Sequence, residues 1–157
     1  LQKNITVLAI KHGQSLRKTN SAGMAISVYL AGAMDHVGDY AIGWRESASK
    51  ALSFLGYKVY DPTSIPEDPE MTADEIVQKN LFMQKKSDLM LVEYMLEDRA
   101  YIGTDFEMAW AKMNNQPSII MCSNQNKNRP YMKYMATKLA DNLQDAIEYI
   151  AVHYPTE

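Results

Sequence analysis

Residues 26–32 read Ile-Ser-Val-Tyr-Leu-Ala-Gly, and this stretch decides the fold. The run is apolar almost throughout and stops at a glycine, the pattern of a strand buried on both faces of a parallel sheet. A helical pattern follows, with Ala41, Trp44, Ala48, Leu52 and Leu55 recurring three or four residues apart. Gly56 then supplies a C-terminal stop.

The same strand-then-helix unit repeats outward from there. Tyr57–Asp61 reads as a second strand, and Pro62, Pro66 and Pro69 make Pro62–Met71 a loop. Thr72-Ala-Asp-Glu75 has capping-box spacing and opens a helix to about Lys86. Asp88–Tyr94 is a third strand. Thr104-Asp-Phe-Glu107, again with capping-box spacing, opens a helix with Phe106, Ala109, Trp110 and Met113 on one face. Pro117–Cys122 is a fourth strand, Ser123–Arg129 a loop, and Met135–Leu139 a short fifth strand. Asp141 opens a last helix with Leu143, Ala146, Ile147, Ile150 and Tyr154 inward.

Alternating strands and helices predict an α/β fold, a flavodoxin-like three-layer sandwich with a mostly parallel sheet of four or five strands. Ligands bind such sheets beyond the carboxyl ends of the strands, which nominates the loops Ala31–Gly38, Asp61–Met71, Met95–Gly103 and Ser123–Tyr131. The first 23 residues differ in character. They carry Lys3, Lys11, Arg17 and Lys18 and end in the polar Thr19–Gly23. Residues 1–23 are therefore expected to be a leader or flexible arm before a catalytic domain of residues 24–157, with an edge strand at Thr6–Ile10 as the rival reading.

Composition narrows the chemistry. A chain of 157 residues with 46% hydrophobic and 22% charged residues suits one globular domain. The net charge of −3 argues against coating a nucleic acid polymer. Ile5–Ile10 is too short an apolar run for a signal peptide or a membrane span. Cys122 is the only cysteine, which excludes an intrachain disulfide and fits a reducing, cytoplasmic setting. His12, His36 and His153 show no metal-ligand spacing, and no phosphate-cradling glycine motif or serine elbow occurs. No metal or organic cofactor is expected. A carboxylate mechanism remains.

Glu107 is the leading candidate. On spacing alone it can reach back to the amide of Thr104 and complete a cap. It can also point into the crevice, ionised by the positive end of the helix, as a glycosidic-bond nucleophile must be.

The residues around it resemble a family. Val28-Tyr-Leu-Ala-Gly32, Trp44-Arg45, Gly56-Tyr-Lys-Val-Tyr-Asp-Pro62, Gln78-Lys-Asn80, Ser87-Asp88 and Gly103-Thr-x-x-Glu107 occur in the order seen in nucleoside 2-deoxyribosyltransferases. The resemblance implies that Glu107 attacks C1′ of a 2′-deoxynucleoside, forms a deoxyribosyl ester, and passes the sugar to a second nucleobase with net retention. It implies that Tyr29 steadies the nucleophile, that Asn80 meets the base, and that Gly32, Asp61 and Gly103 border the substrate. It also implies a homo-oligomer with shared active sites. Tyr29 has a plainer reading as a strand tyrosine, Asp88 as a turn residue, and Arg45 as a surface residue.

Two positions depart from the family. Tyr101 stands where an aspartate often holds the sugar 5′-hydroxyl. Met132 stands where an asparagine is often donated by a neighbouring subunit. Lys127, Arg129 and Lys133 crowd the adjoining loop, suited either to a 5′-phosphate or to solvent. The substrate is thus expected to be a nucleoside or a nucleotide together with a free base. A hydrolase of 2′-deoxynucleoside 5′-monophosphates is the close alternative, and a non-catalytic nucleotide sensor the distant one.

Overall fold

The computed structural model describes residues 24–156. The expectations for residues 1–23, both the extension and the strand at Thr6–Ile10, lie outside the described residues. The elements run β1 (Ser27–Ala31), α1 (Asp39–Phe54), β2 (Lys58–Tyr60), α2 (Ala73–Lys85), β3 (Leu89–Tyr94), α3 (Ile102–Met113), β4 (Ser118–Cys122), α4 (Asn124–Lys127), α5 (Pro130–Met135), β5 (Lys138–Ala140) and α6 (Leu143–His153).

All five strands pair in parallel in the order β2-β1-β3-β4-β5. The three central strands are buried at every position, which is why they read as unbroken apolar runs. Successive side chains alternate between two cores. Val28, Leu30, Leu91 and Ile119 pack under Ala48 and Leu52 of α1 and Ile147 and Ile150 of α6. Tyr29, Val92 and Ile120 pack under Met83 of α2, Met108 of α3 and Met132 of α5. Tyr29 therefore faces the layer that carries Glu107.

Local signals were realised unevenly. Thr72 and Glu75 form the full reciprocal cap, with Thr72 N donating to Glu75 Oε2 at 2.7 Å. The box expected at Thr104 does not form. Helix α3 starts earlier, with Tyr101 as its cap residue and Thr104 buried inside its first turn. The face of α3 that carries Phe106 and Met113 is not the one it buries: Thr104, Met108 and Ala111 are buried, while Phe106 and Met113 are 52% and 83% exposed.

Residues 123–129 are not simply a loop. Ser123 Oγ accepts from Asn126 N to cap α4, and Asn126 Nδ2 donates to the carbonyls of Tyr94 and Leu96, tying this turn to the end of β3. Met135 falls in α5, so β5 begins at Lys138. The last helix is capped by Asn142, whose side chain accepts from Asp145 N, not by Asp141. At the opposite end of the sheet, Asp88 Oδ2 accepts from both N and Oγ of Ser27 and clamps the starts of β1 and β3 together.

Candidate active site

The strand order reverses between β1 and β3, and a crevice of about 460 Å³ opens beyond their carboxyl ends. Its size suits a small organic ligand. Three of the four nominated loops border it, through Gly32 to Asp35, Pro62 and Glu67, and Ala100 to Gly103. The fourth, Ser123–Tyr131, does not. The inner wall is the face of α2 made by Ala73, Ile76, Val77 and Asn80.

Tyr29 and Glu107 meet at the floor. The fully buried Tyr29 hydroxyl donates to Glu107 Oε1 at 2.7 Å. Burial pushes the Glu107 carboxyl up to about 7, while the Tyr29 hydrogen bond and the Arg45 charge pull it down. The expectation that the positive helix end keeps this group ionised is thus corrected. Glu107 lies beyond the first turn of α3, where the helix dipole has largely faded, and desolvation is the larger effect. Burial, and then the negative charge of Glu107, drive the Tyr29 hydroxyl far above the usual tyrosine value, so it stays protonated.

Arg45, expected at the surface, has no exposed area. Its guanidinium donates to the carbonyls of Ala41 at 2.7 Å, Gly32 at 3.0 Å and Ala33 at 3.3 Å. Its Nε lies 3.7 Å from Asp61 Oδ1. Burial lowers its pKa, and Asp61, Tyr29, Glu107 and Glu93 oppose that change. Arg45 thus pins the loop after β1 and places a positive charge behind Glu107. A signal for it existed: positions 41, 45, 48 and 52 form one helical stripe, with the arginine inside an otherwise apolar row.

The remaining candidates divide. Asn80 lines the crevice with a buried Oδ1 that has no hydrogen-bond partner. Gly32 lines it too, and a Cβ there would come 2.9 Å from Trp44 Cζ2 and 3.0 Å from Glu93 Cβ. Gly103 lines the rim with open space around it. Tyr101 contributes its ring to the wall, but its hydroxyl donates to Glu93 Oε1 at 2.9 Å and accepts from Leu96 N. Asp61 is not a wall residue. Its carboxylate accepts from Thr63 N and Oγ1 and faces Arg45. Met132, 3% exposed, is packed in the core and does not border the crevice. Lys127 pairs with Asp141, and none of Lys127, Arg129 and Lys133 borders the crevice.

Two residues were missed. Gln84 of α2 is fully buried and donates from Nε2 to the carbonyl of Glu107 at 2.9 Å, fixing the backbone that bears the carboxylate. Glu93 is the lone charged residue of β3 and is 1% exposed. Among the described residues, no three His, Cys, Asp or Glu side chains gather as a metal site would need.

Structural comparison places these residues on a known scaffold. A 2-deoxyribosyltransferase from Bacillus psychrosaccharolyticus superposes with a TM-score of 0.65 at 14% identity, over 83% of this chain and 97% of its own. The CMP N-glycosidase of Clostridium botulinum superposes with a TM-score of 0.57 at 16% identity, over 81% of this chain and 98% of its own. At such identities the likeness establishes the shared fold. No curated protein matches the sequence. The family model described as nucleoside 2-deoxyribosyltransferase like matches residues 25–126, from before β1 through the helix that carries Glu107 and on into α4, and the chain belongs to that family.

Proposed function

We propose that this protein cleaves the N-glycosidic bond of a 2′-deoxynucleoside and transfers the sugar to another nucleobase. The observation that carries the reading is the 2.7 Å hydrogen bond from Tyr29 to Glu107 at the floor of the crevice. It leaves Glu107 Oε2 as the attacking atom while Oε1 is held. A bond forms from that oxygen to C1′ as the C1′–N bond breaks, and the departing base takes the electron pair and a proton from water. A nitrogen of the second base then attacks C1′ and releases the carboxylate, so two inversions give net retention.

Asn80 suits contact with the base, since its partnerless Oδ1 can accept from a base N–H. A carboxamide has no acidic proton to give, and Tyr29 is held too firmly protonated to give one. Leaving-group protonation therefore falls to solvent.

The crevice lining favours an uncharged substrate. Asp35, Glu67 and Glu107 bring three carboxylates to it, while the guanidinium of Arg45 is committed to main-chain carbonyls. One observation favours the second reading, hydrolysis of a 2′-deoxynucleoside 5′-monophosphate. Arg99, next to the wall residue Ala100, has an Nε with no hydrogen-bond partner, although its Nη1 donates to Asp35 O. The test is to incubate the protein with a deoxynucleoside or its 5′-monophosphate, with and without a second free base, and to separate the products. Transfer from the nucleoside supports the first reading. A preference of more than about tenfold for the monophosphate, fading as salt rises, replaces it with the second.

We also read the active form as a homo-oligomer. Ile102, Phe106 and Met113 of α3 and Tyr131 and Tyr134 of α5 are exposed large apolar side chains, of the kind a subunit contact covers. A cytoplasmic location is supported by the buried lone thiol of Cys122. No helix among the described residues is long and apolar enough to cross a membrane.

A further inference from the structure

We infer that Glu93 is a positioning residue for Glu107, acting through Tyr101 to hold the first turn of α3. The inference rests on the proposed role of Glu107.

A buried carboxylate is costly unless its hydrogen bonds are made. In a strand whose other residues are apolar or aromatic, such a group needs a function. Glu93 is 1% exposed, and its Oε1 accepts three hydrogen bonds, from Met95 N at 2.7 Å, Tyr101 Oη at 2.9 Å and Tyr40 Oη at 3.0 Å, while its buried Oε2 has no hydrogen-bond partner. Tyr101 is the residue from which α3 starts, and α3 has no side-chain cap on its first amides. Its N-terminus is held from the sheet instead.

Two neighbouring residues share that task from opposite faces of β3. Glu93 holds the Tyr101 hydroxyl. Tyr94 stacks on the Tyr101 ring at 4.0 Å and donates from its own hydroxyl to Asp105 Oδ1 at 2.9 Å. Glu107 follows on the next turn of the same helix. A change in how α3 starts is thus carried directly to the atom that meets Tyr29. The bare backbone of Gly32 belongs to the same device, because Glu93 Oε2 lies only 3.1 Å from where a Cβ would stand.

Glutamate suits the place better than glutamine. A carboxylate oxygen accepts hydrogen bonds more strongly than a neutral amide oxygen does. The test uses Glu93→Gln, Tyr101→Phe, their double variant, and Tyr40→Phe as control. Tyr40→Phe removes one bond to the same oxygen but touches α1, not α3. We expect kcat to fall about tenfold in Glu93→Gln and in Tyr101→Phe with KM little changed, because a small displacement of a reacting group costs rate more than binding. The double variant should be no slower than the slower single, since the two act in series. Tyr40→Phe should keep full kcat. Additive losses, or a kcat unaffected by either single change, overturn the inference.

Amide hydrogen exchange separates this result from the fate of the proposed reaction. Amides of residues 105–108 should exchange faster in Glu93→Gln than in the wild type or in Tyr40→Phe, whether or not any deoxynucleoside turns over. Unchanged exchange there overturns the inference by itself. Lack of turnover by the wild-type protein would overturn only the reaction.

Discussion

The Tyr29 hydroxyl donates to Glu107 Oε1 across 2.7 Å, although 78 positions separate the two residues in the chain. The contact exists because β1 turns Tyr29 toward the layer in which α3 packs. A hydrogen bond to a charged group contributes about 1.5–3 kcal/mol where water is largely excluded. Here it opposes the desolvation that would otherwise keep the carboxyl protonated. Each member of the pair constrains the other, since the nearby negative charge also keeps the tyrosine neutral.

Replacing Glu107 by Gln or Ala is expected to lower turnover by at least ~10³, the usual cost of losing a nucleophile. Folding should persist, because Glu107 takes no part in capping α3. Product chromatography together with circular dichroism checks both halves. A folded variant with near-normal turnover would remove Glu107 from the mechanism.

The same Gln variant should be more stable than the wild type at alkaline pH. The folded carboxyl titrates near 7, above its ordinary value of 4.5, so its contribution to stability is fully present below pH 4.5 and is lost as pH rises through 7. Glutamine mimics the protonated acid and loses nothing. Thermal melts should nearly coincide at pH 4.5 and separate in favour of the variant by pH 8. A tenfold difference in proton affinity between folded and unfolded chain is worth about 1.4 kcal/mol, and partial solvent screening brings the expected gap to on the order of 2 kcal/mol. Equal melting temperatures at pH 8 would mean that the carboxyl is not raised.

The acid limb of kcat/KM should report the same group. Activity needs the carboxylate, so it should rise with pH through about 7 in the wild type. Tyr29→Phe removes a hydrogen bond that lowers the pKa, so the midpoint should move to higher pH, by about 1. Turnover at neutral pH should drop ~10-fold or more. A limb that stays in place would show that Tyr29 does not hold Glu107 in solution.

Two glycines at the crevice should respond in opposite ways. Gly32→Ala puts a methyl 2.9 Å from Trp44 Cζ2 and 3.0 Å from Glu93 Cβ, an overpacking worth about 1–3 kcal/mol of lost stability. Gly103 sits within α3 with nothing inside 4 Å, so Gly103→Ala should stabilise by about 0.5–1 kcal/mol through reduced freedom of the unfolded chain. Urea titrations with the two variants measure both signs. Equal effects would mean that the close approach at Gly32 is relieved by movement of its neighbours.

The order of elements could be read from the chain alone, because hydrophobic period and caps are local properties. The apolar run ending at Gly32, the stripe of α1 and the Thr72–Glu75 box all reappear in the folded molecule. Motif order was also enough to nominate Tyr29, Asn80 and Glu107, although not to say what surrounds them. Tertiary packing decided the rest. The start of α3 is set by contacts from Tyr101 to a strand, so no local cap at Thr104 could reveal it. Arg45 is inside because the Ala41 carbonyl of its own helix, the Gly32 and Ala33 carbonyls of the loop after β1 and the Asp61 carboxylate after β2 converge on it. Met132 is core because α5 folds back against its own sheet. Glu107 titrates near neutrality because burial outweighs its helix position, and burial is a sum over contacts that no stretch of sequence contains.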